Sequence, residues 1–433
     1  MRVRDPNLAL ALSALCIVAL EAAYRTWVSD VWLVLEAAAA ALALYAAWRT
    51  QERLRLGPVL LIVVGLQLAL LAVHLGIDVV ADKDSSVVYR WQGNMLRRGD
   101  YPRSEYPVGA VLLFALEAWL GGGATRTANA LLMAPFQALT VAAVWLTRRQ
   151  YAPWLAALIG LWPANAYYWQ YKFDLAPAAL LALGLVLALR ERWALSGVAL
   201  GAGTLLKWTP GLAGVALLAW LVASRRGREA LAHGLAFVAT IALVYVPALL
   251  LSHDVLAAYS RQSGRTITPE SAWYLLLRPL GVAHVRTHIS FSAGAPHWAN
   301  VAGTVLQIAL VTVVLLLTVR ARSARSAIAL AALAPATFLL ANRIFSPQFV
   351  LVLFAAWGVA AALLVRARRE QLAVGFVMAA AAVGNEFVYP FALPRYALTW
   401  PLCSALLFGA GAALTVWLAI RATRPAPAAN AST

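Results

Sequence analysis

The chain has 433 residues, 63% of them hydrophobic and 12% charged, with a formal net charge of +17. A mean hydropathy of +0.75 excludes an ordinary soluble globule and points to a polytopic membrane protein. The pI near 10.5 does not indicate a nucleic-acid binder, because the basic residues punctuate apolar segments instead of forming one soluble patch.

The N-terminus opens with MRVR before an apolar run from Leu8. Glu21 and Tyr24 stand where a signal-peptidase site needs small residues, so this run reads as a retained first span. Further segments of spanning length lie at 8–24, 31–48, 57–79, 125–147, 152–171, 174–190, 234–251, 298–320, 326–341, 347–364, 371–388 and 400–420. Two shorter ones, 194–207 and 210–223, are separated by LKWTP. The expected fold is all-α: a transmembrane bundle of about 13–14 spans forming one membrane domain over 1–422, followed by a disordered Pro/Ala-rich tail over 423–433. Cys16 and Cys403 both fall in spans and imply no disulfide framework.

Arginine clusters follow the segments at 49/53/55, 148/149, 190/192, 225/226/228, 320/322/325, 366/368/369 and 421/424. All of them are cytoplasmic, with both termini, only if the apolar stretch 108–121 does not cross the bilayer. That stretch is short, carries Glu117 and ends in glycines, so it reads as a helix lying in the outer interface. Two large regions, 80–124 and 252–297, are then extracytoplasmic. The three lysines of the chain, Lys83, Lys172 and Lys207, all fall on that side.

The loop Val80–Gly109 carries five basic and four acidic residues among tyrosines and prolines, more than a connector needs. Asp82, Asp84 and Glu105 are candidate general bases or metal ligands there. Farther on, Asp174 sits at the mouth of a span with Lys172 beside it, where the two can simply pair. Tyr167, Tyr168, Trp169 and Tyr171 look like an interfacial belt. Lys207 either snorkels to headgroups or meets a phosphate. Arg261, Arg265 and Glu270 suit an anionic headgroup or a sugar, and Arg343 and Gln348 lie at another outer mouth. His284, His288 and His297 have no metal-site spacing, so no metal site is assigned. Glu36 and His74 look like isolated residues packed between helices. Walker, dinucleotide, nucleophile-elbow and HExxH patterns do not occur, which disfavours an activated nucleotide as substrate.

The run Asp84–Tyr89, then GDYPRSEYPVGAVLLF, YKFDLAP, GAGTLLKWTPG, SGRTITPESAW and RIFSPQF, resembles the GT-C class of polytopic glycosyltransferases over roughly residues 57–400. Within that class it is similar to actinobacterial polyprenol-phosphate-mannose-dependent α-mannosyltransferases. The resemblance implies a cell-membrane enzyme that moves a sugar from a polyprenyl-phosphate donor to a glycolipid or glycan acceptor on the outer face, with inversion. It also implies that an Asp of the first outer loop deprotonates the acceptor, that Glu105 matches an acidic residue before the proline opening a juxtamembrane helix, and that Asp174 matches an Asp at a later helix mouth. Tyr89 belongs to the same pattern, with one departure. The family places its Asp four residues before the Tyr, where this chain has Ser85; Asp84 lies five before Tyr89. On an α-helix that is a rotation of about 100°, so Asp84 is expected in irregular backbone and Asp82 stays its rival. The cofactor is left open, a divalent cation being one option. A lipid or saccharide transporter is the alternative, though it would want mid-bilayer charges and repeat symmetry, which the chain does not display.

Overall fold

The computed structural model describes residues 5–23, 30–75, 84–122, 124–147, 149–162, 168–285, 293–388 and 399–424. Asp82, Lys83, Arg148, Tyr167, His288 and nearly all of the tail lie outside the described residues. The described chain is almost entirely helical. Its one extended pairing is the antiparallel contact of His284–Val285 with Ala293–Gly294.

Fourteen helices occupy the fourteen apolar segments. They are α1 (Pro6–Ala23), α2 (Asp30–Arg49), α3 (Leu56–Leu75), α6 (Thr125–Trp145), α7 (Ala152–Leu161), α8 (Leu175–Leu189), α9 (Trp193–Leu206), α10 (Thr209–Ala223), α11 (Gly227–Leu251), α14 (His297–Val319), α15 (Ala324–Ala341), α16 (Val350–Leu364), α17 (Arg368–Glu386) and α18 (Thr399–Thr423). Between α3 and α6 stand α4 (Arg90–Arg97) and α5 (Val108–Gly121); α12 (Ala257–Ser263) and α13 (Ala272–Leu277) lie between α11 and α14. Eight helices are long and apolar enough to cross a membrane. The shorter α7 and α8 lie inside the bundle, α9 and α10 keep an outer face with Leu195, Val198, Val215 and Val222 exposed, and α16 is buried along its whole length, as expected of a helix that is apolar all round.

Arginine contacts gather many helix termini at one end of the bundle. Arg190 donates to the carbonyl of Leu146, and Arg226 binds Glu191 and Glu229. Arg368 donates to Trp48, Arg421 pairs with Glu370, and Gln371 joins Gln51 and Tyr151. The start of α3 and the end of α6 are therefore at this arginine end, while the end of α3 and the start of α6 are at the other. Residues 76–124 begin and end on one side. With 14 residues, α5 is about 21 Å long, short of the roughly 30 Å hydrocarbon core. It does not cross.

Small residues set the close packing. A Cβ at Gly197 would meet the carbonyl oxygen of His233 at 2.3 Å, and one at Gly201 would meet that of Phe237 at 2.9 Å. This small-xxx-small stripe seats the largely exposed α11 on α9. Gly93 plays the same part outside the spans: its Cβ would lie 2.1 Å from the Phe114 carbonyl oxygen, so α4 crosses α5 at backbone contact. Gly93→Ala should force the two helices apart at about 1–3 kcal/mol and lower the thermal midpoint in detergent. Gly65→Ala, where a Cβ meets nothing within 4 Å, should leave the midpoint unchanged or raise it. Equal midpoints for the two variants would show that the crossing tolerates a side chain.

Candidate functional site

The site lies at the end of the bundle opposite the arginines, where several helices break. Residues 168–171 form one helical turn, the chain leaves it through Lys172 and Phe173, and Asp174 stands immediately before α8. Lys207 is fully extended between α9 and α10, with φ −157° and ψ 136°. The first loop re-enters as a π-helical turn over Asp84–Tyr89 that continues into α4. A π-turn closes its hydrogen bonds five residues apart instead of four. Residues five apart on it thus take the relation that residues four apart have on an α-helix. Asp84 and Tyr89 are five apart, so on this turn they stand on nearly the same face, and the π-turn is the irregular backbone expected ahead of α4.

Four aromatic rings tie these breaks together. Tyr89 stacks on Phe114 of α5, with centroids 4.1 Å apart and planes within 4°. Tyr106 and Phe173 meet both rings and each other edge-on at 5.3–5.9 Å. Around this box stand three ion pairs. The Lys172 ammonium pairs with Asp84, and the Lys207 ammonium pairs with Asp174 while lying 4.1 Å over the ring of Phe349. Arg265 binds Glu105 at 2.6 Å, and Gln262 donates to the Glu105 carbonyl oxygen. Lysine and aspartate thus pair crosswise between segments instead of Lys172 with its near neighbour Asp174. Lys207 turns inward and does not snorkel.

Burial sets the electrostatics. Asp174 is enclosed by protein with the Lys207 ammonium as its partner. The Tyr106 hydroxyl is raised by burial first and then by Asp84, Glu105 and Asp174, while Arg265 opposes the rise. One hydroxyl therefore sits in the field of all three carboxylates. Exposure separates their roles: the Asp174 side chain is fully buried, whereas Asp84 keeps 32% and Glu105 28% of theirs accessible. Of the three, only Asp84 and Glu105 are reachable from outside the protein.

The remaining candidates divide. Glu270 joins the site, in the field of Arg265 and Lys172, and burial pushes its carboxyl up to about 7. Arg343 is engaged elsewhere, donating to Thr304 and to the backbone carbonyls of Ser263 and Arg265; it holds the loop that carries Arg265. Gln348 is half-buried in the turn beside Phe349, and Arg261 stands exposed on α12. Among the described residues, no group of three or more His, Cys, Asp or Glu is arranged to hold a metal.

Three sequence expectations are corrected. Tyr168, Trp169 and Tyr171 do not form an interfacial belt; they are buried, and Tyr168 accepts a hydrogen bond from Asn385. His74 is not isolated, since it bonds Glu21 at 2.8 Å and Gln170 at 2.6 Å. Glu36 in turn hydrogen-bonds Glu21. Tyr106, Phe173 and Phe349 were missed as site-forming residues. Their only sequence signal was adjacency to Glu105, Asp174 and Gln348.

Glu270 supplies a pH test. Its raised pKa means the folded protein holds the proton more tightly than the unfolded chain, so this contribution is fully present below about 4.5 and lost as pH rises through about 7. Glu270→Gln removes the dependence. Its stability relative to the natural protein should climb by about 1–3 kcal/mol between pH 5 and pH 8. A flat difference in thermal midpoint across that range would mean the carboxyl is not held in a dry place.

None of the curated proteins matches this chain. Residues 105–347, more than half of its length, match Glycosyltransferase family 87. The match takes in Glu105, the two helix breaks with their lysines, Arg265 and Arg343, and stops short of Asp84 and Tyr89 on the N-terminal side. On that span the chain belongs to Glycosyltransferase family 87, a GT-C-type family of membrane glycosyltransferases.

Proposed function

We propose that the protein transfers a sugar, mannose or another hexose or pentose, from a polyprenyl-phosphate donor to a glycolipid or glycan acceptor at the extracytoplasmic face of the cell membrane. The observation that carries this reading is the convergence of Asp84, Glu105 and Asp174 with Lys172, Lys207 and Arg265 on one aromatic box at a membrane mouth. Each lysine ammonium has three N–H donors. The contact of Lys207 with Asp174 leaves donors over for a phosphate, so that pair does not block an anion.

The chemistry runs in one displacement. The acceptor hydroxyl oxygen attacks the anomeric carbon as its proton passes to the Asp84 carboxylate, within about 3 Å. The bond from that carbon to the phosphate oxygen breaks, and its electron pair stays on the lipid phosphate. Lys207, Lys172 and Arg265 offset the charge that develops there. A single backside displacement inverts the anomeric centre. Glu105 and Glu270 shape the acceptor side, and Asp174 holds Lys207.

The test is transfer by the purified protein from a panel of polyprenyl-phosphate sugars to acceptor glycolipids. Asp84→Asn should lower turnover about 10²–10⁴-fold while donor binding persists. If Asp84→Asn turns over almost normally and Asp82→Asn does not, the base is Asp82; if both retain turnover, Glu105 is next. Lys207→Ala removes a charge-assisted contact of roughly 1.5–3 kcal/mol and should weaken donor use about tenfold or more. Unchanged donor kinetics would remove Lys207 from the phosphate site.

Sidedness has its own check. Arg103 and Ala124 are exposed at the two ends of the loop that does not cross. In a background without Cys16 and Cys403, Arg103→Cys and Ala124→Cys should both react with an impermeant thiol reagent applied outside intact cells. Reaction of either one only after permeabilisation would refute the extracytoplasmic placement.

A further inference from the structure

The break between the 168–171 turn and α8 leaves helix-end carbonyls without partners inside their own helix, in a part of the protein where water cannot supply them. One side chain meets that need. Asn129, fully buried on the second turn of α6, points its amide nitrogen at the carbonyl oxygens of Trp169, Gln170 and Lys172, at 3.1, 3.0 and 3.3 Å. The NH₂ group has two N–H donors to share among these three carbonyls and the amide oxygen has none, so the orientation of the amide is fixed by its chemistry. One turn earlier on α6, Arg126 donates to the Gln170 side chain at 3.0 Å and lies 4.5 Å over the Tyr171 ring. His74 holds the other end of the same Gln170 amide and is itself anchored on Glu21.

We infer that Asn129 is a positioning residue for sugar transfer: by capping the broken helix from α6, it aims Lys172 at Asp84 and Asp174 at Lys207. The role in transfer rests on the function proposed above; the aiming of the lysines does not. Asn129 touches neither substrate nor any of the four charged groups. It acts through the backbone between them.

Because lysine occurs only at positions 83, 172 and 207, an amine-reactive reagent with peptide mapping reads the placement directly. In the natural protein Lys172 and Lys207 are paired and nearly buried, with side-chain exposures of 8% and 17%, and should modify slowly. Asn129→Asp keeps the shape and loses the donors, and Asn129→Leu removes all polarity. Both should speed modification of Lys172 at least tenfold in monodisperse protein, and Asn129→Gln should restore most of the protection. Lys172 modification within twofold of the natural rate in the folded Asp and Leu variants overturns the inference. So does a failure of both to fold that Asn129→Gln does not relieve, since that would assign Asn129 to general packing. In transfer, Asn129→Asp should lower kcat about tenfold yet cost less than a further twofold on a Lys172→Met background. Effects that multiply overturn the role in transfer. Protected lysines in a natural protein that transfers no sugar would instead leave the positioning intact and remove the function proposed above.

Discussion

A helix that stops inside an apolar medium has to hand its unpaired backbone groups to another part of the protein. This chain stops twice, once after Tyr171 and once at Lys207, and protein groups meet both interruptions. The first is held by amide and guanidinium groups of α6, and the second by the pairing of Lys207 with Asp174 and its seat over Phe349. The rest of the mouth is built on these two breaks. The π-turn, the aromatic box and the loop carrying Arg265 all pack against what the breaks present.

The pairs themselves are poor sources of stability. Taking an ammonium and a carboxylate out of water costs about as much as their attraction returns, whereas removing one partner strands the other. Their value is placement. Each lysine links segments far apart in the chain, Lys172 to Asp84 and Lys207 to Asp174, so the relative position of the first loop, α8 and α9 is defined at the point where they meet. The exposed pair of Arg103 with Asp254 has no such leverage and contributes little.

Much of the architecture was legible in the sequence, because hydrophobic length and arginine spacing are one-dimensional signals. The fourteen apolar segments appear as helices, and the short stretch 108–121 stays on one side, as its length and Glu117 implied. What was not legible depended on the third dimension. Tyr168 and Trp169 have the composition of a membrane belt, but the turn they occupy faces the bundle interior. Lys172 and Asp174 look like partners in sequence, yet they point to different neighbours. The five-residue offset between Asp84 and Tyr89 was counted on an α-helix, whereas the backbone there is a π-turn. Arg343 has the charge for a ligand contact, but its donors are consumed by backbone carbonyls. The pattern of charge identified the mouth; it did not say which charge meets which.

Among the described residues, the three pairs are also neutral as a group. Counted at their ordinary charges, Lys172, Lys207 and Arg265 cancel Asp84, Asp174 and Glu105. An anion that enters alone leaves a surplus negative charge where little water can screen it. Neutrality can be recovered with a proton, and Glu270, titrating near 7 in the field of Arg265 and Lys172, is on hand to carry one. Protonation of Glu270 and the entry of an anion are then coupled by charge alone, each favouring the other, which makes acidity a co-ligand of the mouth.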